Sequence, residues 1–135
     1  MVVELTSGVT ATLLEEAARA HPRECCGMLL GLGLGLGARV ERAEPAANVH
    51  PEPLRQFEID PAALIAAHRA ARSGGLHVLG YYHSHPNGRA QPSPADQAQA
   101  SGDGRIWAIV AAGAVTWWRD QPGGFEPLPT RVAAG

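Results

Sequence analysis

Lysine is absent from this 135-residue chain: all eleven basic residues are arginine. No side-chain primary amine exists for Schiff-base chemistry or isopeptide attachment. Excess basic charge is absent too, since thirteen acidic residues against eleven arginines give a formal charge of −2. A chain so balanced lacks the electrostatic footprint that a phosphate backbone requires, and no nucleic-acid partner is expected. No apolar run approaches the roughly 18 residues that cross a bilayer. The opening MVVELTSGVT has no positive region ahead of a long apolar stretch. These absences point to a cytoplasmic chain with no membrane contact. Cysteine is confined to Cys25 and Cys26. Adjacent cysteines rarely reach disulfide geometry, so a reducing compartment is expected.

What is present reads as a folded domain. Apolar residues make up 45% and charged residues 18%, a globular balance. The length suits one domain, 1–135, with about two thirds of the unfolded surface buried. Val2 to Leu5 reads as a strand. Thr12-Leu13-Leu14-Glu15 reads as a capping box with Thr12 at the N-cap, opening a helix that Pro22 closes. Cys25 to Leu30 reads as a buried strand. Asp60-Pro61 starts a second helix, with Leu64, Ile65, Ala67, His68 and Ala71 as its apolar stripe and Gly74-Gly75 at its end. Leu76 to Tyr82 is a strand that runs into His83. Ser93 opens a third helix, and strands are expected at Arg105–Ala111, Ala114–Trp118 and Phe125–Val132. This alternation predicts a mixed α/β fold.

The run GLGLGLG, residues 31–37, invites a phosphate-loop reading. That reading fails, because a P-loop needs Lys and Ser/Thr after its last glycine and here Ala38-Arg39 follows. A dinucleotide fingerprint needs a helix at this point, and Val40 to Ala43 reads as a second strand. A glycine-rich hairpin is the expectation, with an exposed edge able to pair two copies as a homodimer.

The most informative stretch is His83-Ser84-His85, followed by Ser93 and Asp96. Residues i and i+2 of a strand share a face, so His83 and His85 project together while Ser84 points away. Imidazole is the commonest zinc ligand, and catalytic zinc takes three protein donors. Asp96 is the natural third. The same residues also fit a plainer account, because Ser93-x-x-Asp96 is an N-terminal capping pattern and an H-x-H pair near a turn often holds no metal. Glu24, taken alone, is a charge beside two cysteines at a strand end. His77 shares the strand of His83 at even spacing and so its face, yet reads as a buried or edge histidine rather than a ligand; His68 reads as a packed histidine, and His21 and His50 as loop residues. No P-C-x-x-C accompanies the histidines, which removes the zinc deaminase signature.

His83, His85, Ser93 and Asp96 fit the H-x-H-x7-S-x2-D motif of the JAMM/MPN+ metalloproteases at every fixed position. Glu24-Cys25-Cys26-Gly27-Met28-Leu29-Leu30-Gly31 resembles the glutamate-bearing strand of that family, especially its short prokaryotic members. The resemblance covers roughly residues 2–130. It implies the MPN/JAB architecture, cytidine-deaminase-like, with a single mixed sheet flanked by helices. It implies one Zn²⁺ per chain held by His83, His85 and Asp96, with Glu24 as proton acceptor and Ser93 as hydrogen-bond donor to the oxyanion. It also implies hydrolysis of a peptide or isopeptide bond after the C-terminal glycine tail of a ubiquitin-like or sulfur-carrier protein. The Gly31–Gly37 hairpin and the 45–57 loop are candidate walls for that tail, and Asn48 and Phe57 are expected to support the loop. The alternatives are a non-catalytic MPN scaffold that binds partners and a RadC-like DNA-associated domain.

Overall fold

The structure is a computed structural model and describes residues 2–33 and 37–133. The chain runs β1 (Val3–Leu5), α1 (Val9–Ala20), β2 (Cys26–Leu32), β3 (Arg39–Ala46), α2 (Pro61–Arg72), β4 (His77–Ser84), α3 (Pro94–Gln99), β5 (Ile106–Ala111), β6 (Ala114–Gln121), β7 (Gly124–Pro127) and β8 (Thr130–Val132). Eight strands form one mixed sheet in the order β7-β6-β5-β4-β2-β3-β1-β8. The expected mixed α/β fold is what forms.

Each face of the sheet has its own cover. Leu13 of α1 packs with Leu29, Val40, Leu79 and Ile106 on one side. On the other, Ala67 of α2 packs with Met28, Val78, Trp107 and the loop residues Phe57 and Ile59. A fully buried leucine such as Leu13 contributes roughly 1.5–3 kcal/mol relative to an exposed one. Gly80 lets β4 approach β5 closely, because a Cβ there would overlap the carbonyl of Ile106.

Several local readings shift. Thr12 does not cap α1; the helix begins three residues earlier, and the Thr12 N–H already bonds the carbonyl of Gly8 at 2.9 Å. The apolar stripe starts at buried Val9, one turn before Leu13, and burying Val9 draws the helix start back to it. Ile65 is 57% exposed; Leu64, Ala67, His68 and Ala71 follow the i, i+3, i+4, i+7 stripe and Ile65 falls beside it. The expected final strand divides into β7 and β8, since Pro127 and Pro129 have no N–H to extend a ladder. β7 pairs with β6, and β8 pairs in parallel with β1, at the other end of the strand order. Leu128 bonds Trp117 at 2.9 Å and Pro129 accepts from Val3 at 3.0 Å. Two residues thus join opposite ends of the sheet, which must curl to allow it.

β2 and β3 form the antiparallel arms of the glycine-rich hairpin, and the tip, 34–36, lies outside the described residues. β2 is paired on both flanks, by β3 and β4, and β3 pairs with β1 at Arg39 and Val40. The terminal strands of the sheet are β7 and β8, so the hairpin is not its outer edge. No described helix is long and apolar enough to cross a membrane.

Candidate metal centre

Strand register assembles this site. β4 pairs antiparallel with β2, with Cys26 opposite His83. Ser84 and Cys25 then exchange two bonds: the Ser84 N–H donates to the Cys25 carbonyl at 3.1 Å, and the Cys25 N–H donates to Ser84 Oγ at 2.8 Å. One further step sets Glu24 beside His85. The His85 N–H donates to Val110 of β5 at 2.8 Å, which anchors the end of β4 from its other flank.

α3 delivers the carboxylate. Ser93 Oγ accepts from the Asp96 N–H at 3.1 Å, and Asp96 Oδ2 accepts from the Ser93 N–H at 2.9 Å, a complete capping box. The capping account and the ligand account therefore hold together. The same Asp96 carboxylate lies 3.0 Å from His83 Nε2 through Oδ1 and 3.0 Å from His85 Nε2 through Oδ2. The two Nε2 atoms are themselves 3.0 Å apart. All three residues are buried, and one donor atom from each fits within a 4.8 Å span.

The donors suit a cation. His85 Nδ1 donates to the Arg89 carbonyl at 2.7 Å, which turns the Nε2 lone pair of the neutral ring toward Asp96 Oδ2. That oxygen already accepts from Ser93, so two acceptors face each other in a buried place. Either a proton on His85 or a metal ion between them relieves this. A backbone carbonyl fixing the far nitrogen is the usual support of a metal-bound histidine. The group is compatible with a metal site.

Proton affinities diverge here. Burial pushes Glu24 up to about 7, with the Asp96 charge adding and His85 opposing. Burial would also raise Asp96, but hydrogen bonds from His83 and from His85 in its protonated form overcome it and hold Asp96 below its ordinary range. Burial lowers His83, only partly countered by Asp96. Burial works against His85 as well, yet Asp96 and the Arg89 carbonyl outweigh it and raise that ring.

The surroundings contain residues whose part is not visible from local sequence. Phe57 stacks on the His83 ring at 4.3 Å and 18°. Asn48 uses its whole side-chain amide: Nδ2 donates to the carbonyls of Glu24 and Gln56, each at 3.0 Å, and Oδ1 accepts from His50 at 3.1 Å and Glu58 at 3.0 Å. One amide thus ties the Glu24 backbone to the segment that presents Phe57. Even spacing from His83 does not bring His77 to the site. β4 changes register against β2 between Val78 and Gly80, and His77 is exposed at the strand's far end. Cys25 and Cys26 are buried free thiols. Burial pushes Cys26 up to about 12, and its Sγ faces the carbonyls of Ala46 and Ala47.

Residues 6–121 match the family described as prokaryotic homologs of the JAB domain. A Thermus thermophilus protein named "Probable TtuB-protein conjugate cleaving protease" is 48% identical over 94 residues, covering 65% of this chain and 59% of that protein. A Haloferax volcanii protein named "Desampylase" is 38% identical over 98 residues, covering 72% and 68%. The chain thus spans less than two thirds of the length of the first relative. The solution structure of protein DSY2949 from Desulfitobacterium hafniense superposes with a TM-score of 0.87 at 27% identity, covering 99% of this chain and 94% of that one. The chain belongs to the prokaryotic JAB-domain family.

Proposed function

We propose that this JAB-domain chain is a zinc-dependent hydrolase of ubiquitin-like protein conjugates, cutting the amide bond after the carrier's C-terminal glycine tail. The observation that carries the reading is the convergence of buried His83, His85 and Asp96, with buried Glu24 close enough to feel the charges of His85 and Asp96. The names of the Thermus and Haloferax relatives support the substrate class.

His83 and His85 would hold the zinc through Nε2, and Asp96 through a carboxylate oxygen. Zinc supplies Lewis acidity, polarising the carbonyl and lowering the pKa of water to about 7. Glu24, a buried carboxylate raised to about 7, is matched to proton transfer near neutral pH. Its carboxylate takes a proton from the attacking water as the C–O bond forms. When the C–N bond breaks, that proton goes to the departing amine nitrogen. Ser93 Oγ accepts from the Asp96 N–H and keeps its own O–H to donate to the developing oxyanion. The Arg89 carbonyl orients His85, and Phe57 fixes the His83 ring.

The chain 1–135 would act as one catalytic domain. A scaffold role would be favoured by a broken donor set, and here the set is complete. A DNA-associated role has no basic surplus behind it. The test is incubation with tail-extended ubiquitin-like proteins and with their lysine conjugates, read by mass spectrometry. Release of a carrier ending in glycine is expected. It should vanish on chelation and return with Zn²⁺, and His83→Ala should lose both zinc and cleavage. A zinc-loaded protein that leaves every such carrier and conjugate intact would sink the reading.

A further inference from the structure

A cavity of about 300 Å³ lies on the α2 face of the sheet. That size falls at the lower end of small-ligand sites, about 300–1,000 Å³. Its walls include Phe57, Ile59, Leu64 and Trp107, and its polar lining includes Glu58, Asp103 and Asp120. Three acids and no basic side chain are among its described lining residues. Arg105 reaches Asp103 at 3.1 Å, but Asp120 is only 2% exposed and forms no ion pair among the described residues. Its oxygens take the N–H groups of Ser101 at 3.1 Å and Gly102 at 3.0 Å. Each carboxylate oxygen keeps a further lone pair. Trp107 is 4% exposed, and its indole N–H has no acceptor among the described residues. A buried donor left unpaired is costly, and ligand binding is one way to satisfy it.

The cavity shares a wall with the metal centre. Phe57 meets the His83 ring at 4.3 Å and the Trp107 ring at 5.9 Å. An extended peptide advances about 3.3 Å per residue, so a chain lying across the centre reaches the cavity within a few residues of the reacting carbonyl.

Resting on the hydrolase reading for what the ligand belongs to, we propose that this cavity is a specificity subsite for a basic side chain of the substrate's extended tail. The aliphatic stem of arginine or lysine lies along Ile59, Leu64 and Trp107, where apolar contact stabilises it. The cationic head faces Asp120 and the rim acids Glu58 and Asp103. The ring of Trp107 adds attraction for a cation, and its N–H takes a peptide carbonyl of the same segment.

The probes are hexapeptides ending in Gly-Gly joined by an amide to a fluorescent amine, with Arg, Leu or Glu at each position ahead of the glycines. With the zinc-loaded enzyme, arginine at one position should exceed glutamate at least tenfold in kcat/KM. The Glu58→Gln/Asp103→Asn double variant should shrink that ratio severalfold. In the zinc-loaded Glu24→Gln protein, the arginine peptide should shift the Trp107 indole N–H resonance and the glutamate peptide should not. Cleavage at equal rates for Arg, Leu and Glu peptides would overturn the subsite, as would an unmoved Trp107 signal on addition of the arginine peptide. If no peptide is cut yet the Trp107 signal moves with arginine alone, the cavity stands and the hydrolase reading fails.

Discussion

Two carboxylates meet at the end of β4, one from each side. Asp96 comes from the α3 cap, where a backbone N–H and two imidazoles surround it, and it is held strongly acidic. Glu24 comes from the entrance to β2, where burial dominates, and it is raised to about 7. Both are almost fully buried. Burial is therefore not what separates them; the supply of donors is. A carboxylate fed by donors stays anionic and suits a cation, while one denied them suits carrying a proton. Splitting two like groups in this way suits the proposed division of labour between metal ligand and proton carrier.

The sharpest break of that contrast is Asp96→Ala. It would remove one of the three proposed metal donors and half the capping box, so zinc content and activity should both fall to background. Metal analysis and a cleavage assay on one preparation check this. Glu24→Gln should retain zinc and lose about 10²–10⁴-fold in kcat, the range of general acid–base catalysis. Equal activity in that variant would dissolve the distinction between the two acids.

Asn48→Ala attacks the contrast indirectly. It unpairs the groups bonded to that amide, and leaving a buried partner unsatisfied costs about 1–3 kcal/mol. Denaturant unfolding should show this loss. kcat should fall less than in Glu24→Gln, with zinc retained.

The pH dependence follows from sign. The folded pKa of Glu24 lies above its ordinary value of 4.5, so the folded state binds this proton more tightly than the unfolded state does. Its contribution to stability is present below about 4.5 and is lost as pH rises through about 7. Metal-free wild type should therefore lose Tm over that window relative to metal-free Glu24→Gln. For the zinc enzyme, kcat/KM should fall as pH drops and Glu24 takes up a proton, because only its carboxylate form accepts the proton of the attacking water. The smallest effect is expected of His77→Ala, the histidine at the far end of the same strand, with zinc and rate unchanged.

The two carboxylates also differ in how visible they are in sequence. Asp96 is legible because its partners are local: Ser93 lies three residues away and His85 eleven. Asp60-Pro61 is legible for the same reason, and Asp60 does accept from Ala62 at 3.0 Å. Glu24 acquires meaning only through the register of β2 against β4, about sixty residues on, and family resemblance rather than spacing singled it out. Asn48 reaches Glu24 across 24 residues, and Phe57 reaches His83 across a similar span. The register change at Val78 to Gly80 defeats a parity argument that looks sound for His77. Thr12 and Glu15 mimic a helix start that the burial of Val9 overrides.

The crossing at Leu128 and Pro129 works like a clasp on a bracelet. Because the same short span fastens β7 to one margin and β8 to the other, a single nick there would loosen both margins at once. Each would then offer bare peptide groups to any passing extended chain. β7 and β8 thus cover the outer flanks of β6 and β1.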